Sequence, residues 1–382
     1  MTRAGGIRGY FPLVLLVGSV TCWSAAPADA EPTFLSKQYP RCTACHYSAS
    51  GGGLLPPYGR SLSREEISTS GRRDPAAQAG VRAEEEFLFG FGAIDGDSPL
   101  QLGLDLRPSQ LRIEVPGRDL PDRNFLMNLD LQAAWRAGGW TAYGTVGRRP
   151  GGGLVTYEHW LTRQVSDRVS VRGGRFLPAY GVRFADHTAL SRDRLGLAED
   201  DQIYGVELGV SSDRSLLQVA AGPGRAESLL NDDGRAALTV SGRAQRDLGP
   251  RTVVVGSVLH RGASDRAARS TAIGASFGYA PVPWLTTWTQ ADVQFRNAAP
   301  GDSAVILTNQ TSVEVWRGVW LRISPQRYRI PDNPRAEIRR MVYGLDLYPR
   351  THWHVNLSWY RDRFVFSDRL DRRLLLQLHL YL

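Results

Sequence analysis

The chain of 382 residues carries a net charge of +8 and only three cysteines, which excludes a disulfide framework as the source of its stability. Glycine and proline are plentiful, with 40 and 22 copies, but they are spread along the chain and form no low-complexity segment. Nearly all of the positive charge is arginine, scattered beside aspartate instead of clustered. This pattern indicates a solvated or lipid-headgroup surface and argues against nucleic acid as a partner.

Residues 1–30 have the features of a secretory signal peptide. Arg3 and Arg8 form a basic start, Phe11–Val20 is a short apolar run, and Ala28–Ala30 offers a small-residue cleavage site. The apolar run is too short for a helix that crosses a bilayer, which needs roughly 20 residues. We therefore predict export with cleavage after residue 30, and an uncleaved anchor is the alternative.

Residues Cys42–His46 form a C-x-x-C-H motif. Because Cys22 leaves with the signal peptide, Cys42 and Cys45 are the cysteines of the mature chain. Their thiols can reach the two vinyl groups on one edge of a porphyrin, and His46 then lies under the iron as an axial ligand. A structural zinc site would need a second pair of ligands, and a thioredoxin-like site would need a surrounding βαβ unit. The motif therefore predicts one covalent haem c.

The segment that carries this motif, residues 31–83, is short of apolar residues. Its one helix-like stretch is Ser61–Ile67, with acidic residues in the first turn. So small a piece cannot bury a macrocycle alone, and the remainder of the chain must cover it. Residues 84–98 are interpreted as a linker or a lumen segment.

Residues 99–382 show alternating polarity instead of a helical period. In the last segment Leu374 and Leu376 share one face, while Gln377 and His379 take the other. Repeated runs of this kind, about ten residues long, are typical of strands in an outer-membrane barrel. We predict an all-β fold, a transmembrane antiparallel β-barrel of about 16 strands with a small N-terminal c-type haem segment. A soluble β-sandwich is the alternative.

The connections between these runs alternate in length. Short turns such as Gly138-Gly139 and Asp213-Arg214 alternate with longer connections such as Leu177–Asp201 and Pro331–Ala336. Bacterial barrels have short periplasmic turns and longer outer loops, so the pattern predicts sixteen strands with both ends periplasmic. The count becomes eighteen if residues 84–94 also pair. The lumen of such a barrel is wide enough for a plug or a cofactor.

The second axial ligand of the predicted haem has several candidates. His352, His354 and His379 should face the lumen near its periplasmic end, and His187 sits in the longest outer loop, which could fold inward. Met127 is excluded because its phase places it among the lipid-facing residues. Two alternatives stay open: these histidines line a polar wall, or the sixth position holds no side chain.

Three short stretches carry a resemblance to a known family: Pro32–Gln38, Cys42–His46 and Tyr58-Gly59-Arg60. The chain resembles the fused cytochrome–porin family of outer-membrane electron-transfer proteins from iron-oxidising bacteria. The resemblance implies oxidation of ferrous iron at the cell surface and transfer of the electron inward, to a periplasmic cytochrome or another carrier, through a haem held in the barrel. Tyr47–Gly53, rich in glycine and serine, departs from the apolar stretch expected there.

These features predict an outer-membrane electron-transfer protein, in which the haem would exchange electrons with an extracellular donor or acceptor, Fe²⁺ among them. A haem confined to the periplasm could not carry electrons across a layer roughly 30 Å thick, whereas a haem inside the lumen shortens the distance on both sides. The sequence does not decide whether the protein is an enzyme, that is, a ferrous-iron oxidase, or only an electron carrier. The alternatives are a diffusion channel with a haem-bearing plug and a haem-based sensor.

Overall fold

A computed structural model describes residues 32–41, 45–48, 51–69, 98–148, 153–197, 201–223, 238–262, 269–296 and 303–381. The predicted signal peptide, residues 42–44 of the haem motif, and nearly all of the predicted linker 84–98 lie outside the described residues. None of the described helices is long and apolar enough to cross a membrane.

The described part of the chain forms a closed antiparallel barrel of sixteen long strands, as predicted. Each strand pairs with its neighbours in the sequence, and the last strand pairs with the first. A two-residue strand, Leu154–Val155, adds to the end of the third strand. The strands are β1 Leu100–Glu114, β2 Arg123–Ala137, β3 Trp140–Arg148, β4 His159–Ser166, β5 Val169–Phe176, β6 Ile203–Ser212, β7 Ser215–Pro223, β8 Leu238–Gly249, β9 Thr252–Arg261, β10 Ser270–Val282, β11 Leu285–Arg296, β12 Ser303–Trp316, β13 Val319–Ile330, β14 Asn333–Leu347, β15 Trp353–Phe364 and β16 Arg369–Tyr381.

Side chains alternate between the outside and the lumen along these strands. In β16, Leu374 and Leu376 are exposed on the outside, while Gln377 and His379 face an internal cavity. Exposed tryptophans gather at the end of the barrel that carries the short turns, as an aromatic girdle does: Trp135, Trp140, Trp284 and Trp316. The apolar exterior and polar lumen confirm the predicted barrel over the sandwich.

The connections follow the predicted order with one correction. The short turns lie together at one end, here called the short-turn end, and the opposite end is the long-connection end. The predicted long connection Pro331–Ala336 is wrong, because β13 continues to Ile330 and β14 begins at Asn333, which is paired with Ile330. Pro331 and Asp332 alone make the turn, since both strands extend beyond the rim.

A β-bulge in β2, at Met127 itself, corrects the expected position of this residue. The register between β1 and β2 shifts at Arg107 and Pro108. The Met127 sulfur then accepts a hydrogen bond of 2.9 Å from the amide of Gln377, which faces the lumen. The period-two alternation fails here because a bulge moves the following side chains to the other face.

The described residues between 32 and 69 (32–41, 45–48 and 51–69), here called the N-terminal segment, lie inside the barrel at the short-turn end. They form a 3₁₀ helix, Pro32–Lys37, and a helix α1, Pro57–Leu62, that continues as a wider turn through Ile67. The helix therefore begins four residues before the predicted Ser61. Arg41 binds Asp247 in the barrel wall at 2.7 Å, and the Thr69 amide donates to the Tyr348 carbonyl.

Residues 177–197, here called the inward loop, follow β5 and fold into the lumen. The loop carries a short helix α2, Leu190–Asp193. Its backbone is held by side chains of the wall, since the Val182 amide donates to Gln290 and the Leu190 amide donates to Gln326. The inward loop packs against the N-terminal segment, where Leu35 contacts a cluster that includes Phe184.

Candidate functional site

One cavity lies where the N-terminal segment, the inward loop and the barrel wall meet. Its volume is about 210 Å³. Its lining combines apolar side chains with histidines, carboxylates and arginines. The residues that carry the argument are Cys45, His46, Asp105, Arg107, Arg183, His187, Arg192, Arg322, Asp346, His354 and His379.

His46 reaches this cavity from the N-terminal segment. Burial, with the nearby Arg183 guanidinium as a second cause, lowers the pKa of His46 to about 4. The ring is therefore neutral near pH 7, the form in which imidazole binds metals. Its Nδ1 is buried beside the backbone of Gly52 and Gly53 without an aligned hydrogen bond. Cys45, which directly precedes His46, is also buried.

A glycine turn follows the motif and explains why the sequence there is not apolar. Gly51, Gly52 and Gly53 have φ angles of 80°, 74° and 70°, a region that side-chain-bearing residues rarely adopt. A Cβ at Gly53 would overlap the Tyr143 hydroxyl, and a Cβ at Gly52 would press on the Arg183 guanidinium. The turn therefore allows the motif to approach both the wall and the inward loop.

Tyr58-Gly59-Arg60, the second element of the family resemblance, holds α1 against the motif. A Cβ at Gly59 would overlap the backbone carbonyl of Cys45, so only glycine permits this approach. Arg60 is 2% exposed, and its guanidinium donates to the carbonyls of Leu55 at 3.0 Å and Leu102 at 3.3 Å. The element fastens Cys45 and His46 to strand β1.

His354 faces the cavity from β15 in a fixed orientation. Its Nε2 lies 2.9 Å from Asp346, and its ring stacks on Tyr348 with centroids 4.5 Å apart and planes 6° from parallel. Asp346 in turn accepts hydrogen bonds from Arg322 at 3.2 Å and Asn356 at 2.6 Å. Both the position and the tautomer of His354 are set by these contacts.

His379 faces the cavity from β16, directly opposite His354 in the strand register. The two rings are 6.0 Å apart and nearly perpendicular. His379 Nε2 lies 3.3 Å from Asp105, close enough for an ion pair but without the alignment of a hydrogen bond. Asp105 is itself held by both guanidinium nitrogens of Arg107, at 2.8 and 2.7 Å.

The other two predicted histidines differ in their positions. His187 lines the cavity because the inward loop carries it there. His352 does not belong to the cavity lining described here. It follows the turn after β14, with a φ of 66°, and its ring meets Tyr381 edge-on at 5.7 Å. His352 is 2% exposed and its neighbour Tyr381 lines the cavity, so the predicted inward direction of His352 stays a prediction.

Four arginines bring positive charge to the cavity: Arg107, Arg183, Arg192 and Arg322. Arg192, for example, donates to the carbonyls of Phe184 at 3.0 Å and Leu197 at 3.2 Å. Sequence reasoning missed these residues, although two of them sit in strands whose alternation faces them inward. The two on the inward loop gave no periodic signal. Among the described residues, no cluster of three or more His, Cys, Asp or Glu side chains is arranged to hold a bare metal ion.

Comparison with known proteins supports the barrel and is silent on the motif. No protein-family model and no curated protein matches the sequence. Among solved structures the chain is similar to Pseudomonas putida OprB, with a TM-score of 0.60 and 9% identity over 75% of this chain and 95% of that one. It is also similar to Salmonella typhi OmpF in a complex with daunomycin (TM-score 0.58, 8% identity, 74% of this chain and 97% of that one) and to Vibrio cholerae OmpT (TM-score 0.55, 10% identity, 74% and 97%). The chain therefore has a porin-like barrel fold.

Proposed function

We propose that this protein is an outer-membrane electron-transfer protein that holds one covalent haem c inside its barrel. The observation that carries the proposal is the shared cavity of His46 with His187, His354 and His379. A motif chosen only as a plug would have no need of imidazoles facing the same cavity. The cavity gathers ligands that haem iron accepts.

The residues present fit such a group. Cys42 and Cys45 would bind the porphyrin edge covalently, and His46 would bind the iron. Apolar side chains such as Leu55 and Leu104 line the cavity beside the arginines, which suits a flat apolar ring that carries carboxylates. Haem, when bound, supplies a one-electron couple whose potential depends on its axial ligands and surroundings. The chain holds the ring, excludes water and places charges around it.

The contents of the lumen favour electron transfer over diffusion. At the long-connection end, the inward loop residues Tyr180, Leu190, Leu195 and Leu197 pack with lumen-facing residues of β9–β14 in one buried apolar cluster. A channel for solutes has a polar, water-filled lumen. An apolar seal above a cavity instead suits a cofactor that passes electrons and no solute.

The exterior and the turns support the location and orientation. The outward face is apolar with an aromatic girdle at the short-turn end, as in bacterial outer-membrane barrels, whose short turns are periplasmic. The N-terminal segment would then close the periplasmic side, where a cytochrome or another carrier would exchange electrons. An extracellular electron donor or acceptor would act at the opposite end, and Fe²⁺ is the first donor to test. If electrons flow inward from Fe²⁺, the protein is a ferrous-iron oxidase.

The test is an absorbance spectrum of outer-membrane fractions and of whole cells before and after the addition of Fe²⁺. We expect haem bands that shift to the reduced form when Fe²⁺ is added outside. Cys45→Ala should abolish or strongly reduce covalent haem while the barrel still inserts; Cys22→Ala, which removes a thiol from the predicted signal peptide, should change neither. Outer membranes that contain the barrel but no covalent haem would overturn the proposal, and bands that respond only to a membrane-permeant reductant would overturn the extracellular donor.

A diffusion channel is the second candidate, because the solved structures of similar fold are outer-membrane porins. Reconstitution into planar bilayers separates the two. The electron-transfer proposal predicts no steady conductance from the complete protein, and ion conductance that is the same with and without haem would favour the channel.

A further inference from the structure

Three histidines other than His46 line the cavity, and the atoms available on each decide which can bind the haem iron. Histidine normally binds haem iron through Nε2, because Nδ1 lies next to Cβ and would bring the porphyrin plane against the residue's own backbone. A useful candidate therefore needs an Nε2 that is not already committed to another group. The tautomer of each ring follows from the hydrogen bond it makes.

His354 fails this requirement. Its Nε2 makes an aligned contact of 2.9 Å with Asp346, and stacking on Tyr348 at 4.5 Å prevents the ring from turning away. Asp346 is fixed by Arg322 and Asn356, so the carboxylate cannot easily release the ring. His354 is instead a positioning residue that presents its ring to His379.

His379 meets the requirement. Its Nε2 is buried and has no aligned hydrogen bond, although Asp105 lies 3.3 Å away. Arg107 already engages both oxygens of Asp105. A buried polar atom without a hydrogen bond is rare in native proteins and needs an explanation, such as a ligand that binds to it.

The surroundings of His379 also hold it in place. It lies in β16, which is paired with β15 on one side and with β1 on the other. Tyr381 lies 4.9 Å and His354 6.0 Å from its ring centroid. His187, in contrast, lies in the inward loop beside Asp186, whose carboxylate accepts from the Thr188 amide and hydroxyl. A ligand on a paired strand is placed more accurately than one on a loop.

From these contacts we infer that His379 is the second axial ligand of the haem, opposite His46, and that His354 orients it. The inference rests on the proposed function, since it requires the covalent haem. It names a bis-histidine iron, which has two strong-field nitrogen ligands and is expected to be low-spin and closed to carbon monoxide.

The test compares the complete wild-type protein with His379→Ala, using optical and electron paramagnetic resonance spectra of the purified haem protein. The haem of His379→Ala should remain covalently attached, change from low-spin to high-spin, and bind carbon monoxide; added imidazole should restore the low-spin spectrum. His187→Ala should remain low-spin. His354→Ala should remain low-spin but with altered g values, because His379 loses the ring that orients it, whereas the matched control His260→Ala, at an exposed histidine on β9, should leave the spectrum unchanged. Heat-dependent mobility on gels checks that each barrel is folded.

A second substitution keeps the test decisive if His379→Ala does not fold. His379→Met retains a side chain that can bind iron, and a change from histidine to methionine should raise the reduction potential. An unchanged spectrum and potential in His379→Met would overturn the inference, as would a low-spin spectrum in His379→Ala or a wild-type haem that is already high-spin. A wild-type protein without covalent haem would instead overturn the proposed function itself.

Discussion

The two halves of the lumen are filled by the same kind of insertion but by different chemistry. At the short-turn end the N-terminal segment leaves a cavity lined by histidines, carboxylates and arginines. At the long-connection end the inward loop forms an apolar cluster with the wall, built around residues such as Leu190, Ile306 and Tyr328. A barrel whose lumen only needed to be closed could be filled by an apolar cluster at both ends.

The comparison shows which half of the lumen carries the free-energy cost of burying polar groups. Buried charges and imidazoles require partners. The wall supplies Asp346 to His354 at 2.9 Å and Arg107 to Asp105, while His379 lies 3.3 Å from Asp105 without an aligned hydrogen bond. The apolar cluster needs no such partners and is stabilised by burial alone. We therefore assign the chemistry to the short-turn half and the seal to the long-connection half.

The largest effect should follow from removing the seal. Replacement of residues 186–197 by a glycine–serine linker of equal length deletes α2 and most of the loop's apolar contacts. Because the lumen of a sixteen-stranded barrel is otherwise wide, we expect bilayer recordings to change from no steady current to a measurable conductance, smaller than that of an open porin because the N-terminal segment still occupies the short-turn end. The covalent haem should remain.

A matched control replaces residues 117–121 of the connection between β1 and β2 in the same way, since that connection contributes nothing to the apolar cluster described here. It should leave the protein without steady conductance. Equal conductance in both replacements, or none in either, would contradict the division of the lumen into a seal and a site.

We expect a smaller effect from Gly59→Ala in the short-turn half. The added methyl group would overlap the Cys45 carbonyl, and forcing an extra carbon into a packed contact typically costs about 1–3 kcal/mol. The yield of covalent haem per barrel, measured by haem-stained gels, should fall. Gly256→Ala is the control, because a Cβ there meets no atom within 4 Å. If both variants retain full haem, close packing of α1 on the motif is unimportant.

The sequence predicted the barrel well because alternation in long strands is a local signal. The faces of β15 and β16 were assigned correctly, and His354 and His379 followed from them. Met127 was misplaced where a β-bulge in β2 interrupts the period. This interruption has no signature in the sequence that alternation could detect.

The contents of the lumen were harder to predict. The folding of the inward loop depends on contacts between residues far apart in sequence, such as the Tyr180 hydroxyl with Asp292. The glycines after the motif were noted as a departure from the family, but their reason, close approach to Tyr143 and Arg183, is visible only once the wall is in place. Local pattern could show the motif but not its surroundings.

The smallest expected effects come from removing one tyrosine hydroxyl in each half of the lumen. Tyr143→Phe removes the hydroxyl that accepts from the Leu54 amide at 3.4 Å, and Tyr180→Phe removes the hydroxyl that donates to Asp292 at 2.9 Å. Each change should cost about 1 kcal/mol, or somewhat more for the charged partner. Tyr143 should keep its stacking on Trp160, 4.9 Å away, so the wall itself is preserved.

The two variants should differ in what they disturb. Tyr143→Phe loosens the glycine turn beside His46, so we expect a small shift in the haem reduction potential and no conductance. Tyr180→Phe loosens the inward loop, so brief conductance events should appear while the potential stays at the wild-type value. Potentiometric titration measures the reduction potential of each variant, and single-channel recording measures its conductance. If either variant changes both the potential and the conductance, the site and the seal are coupled and the two halves do not act separately.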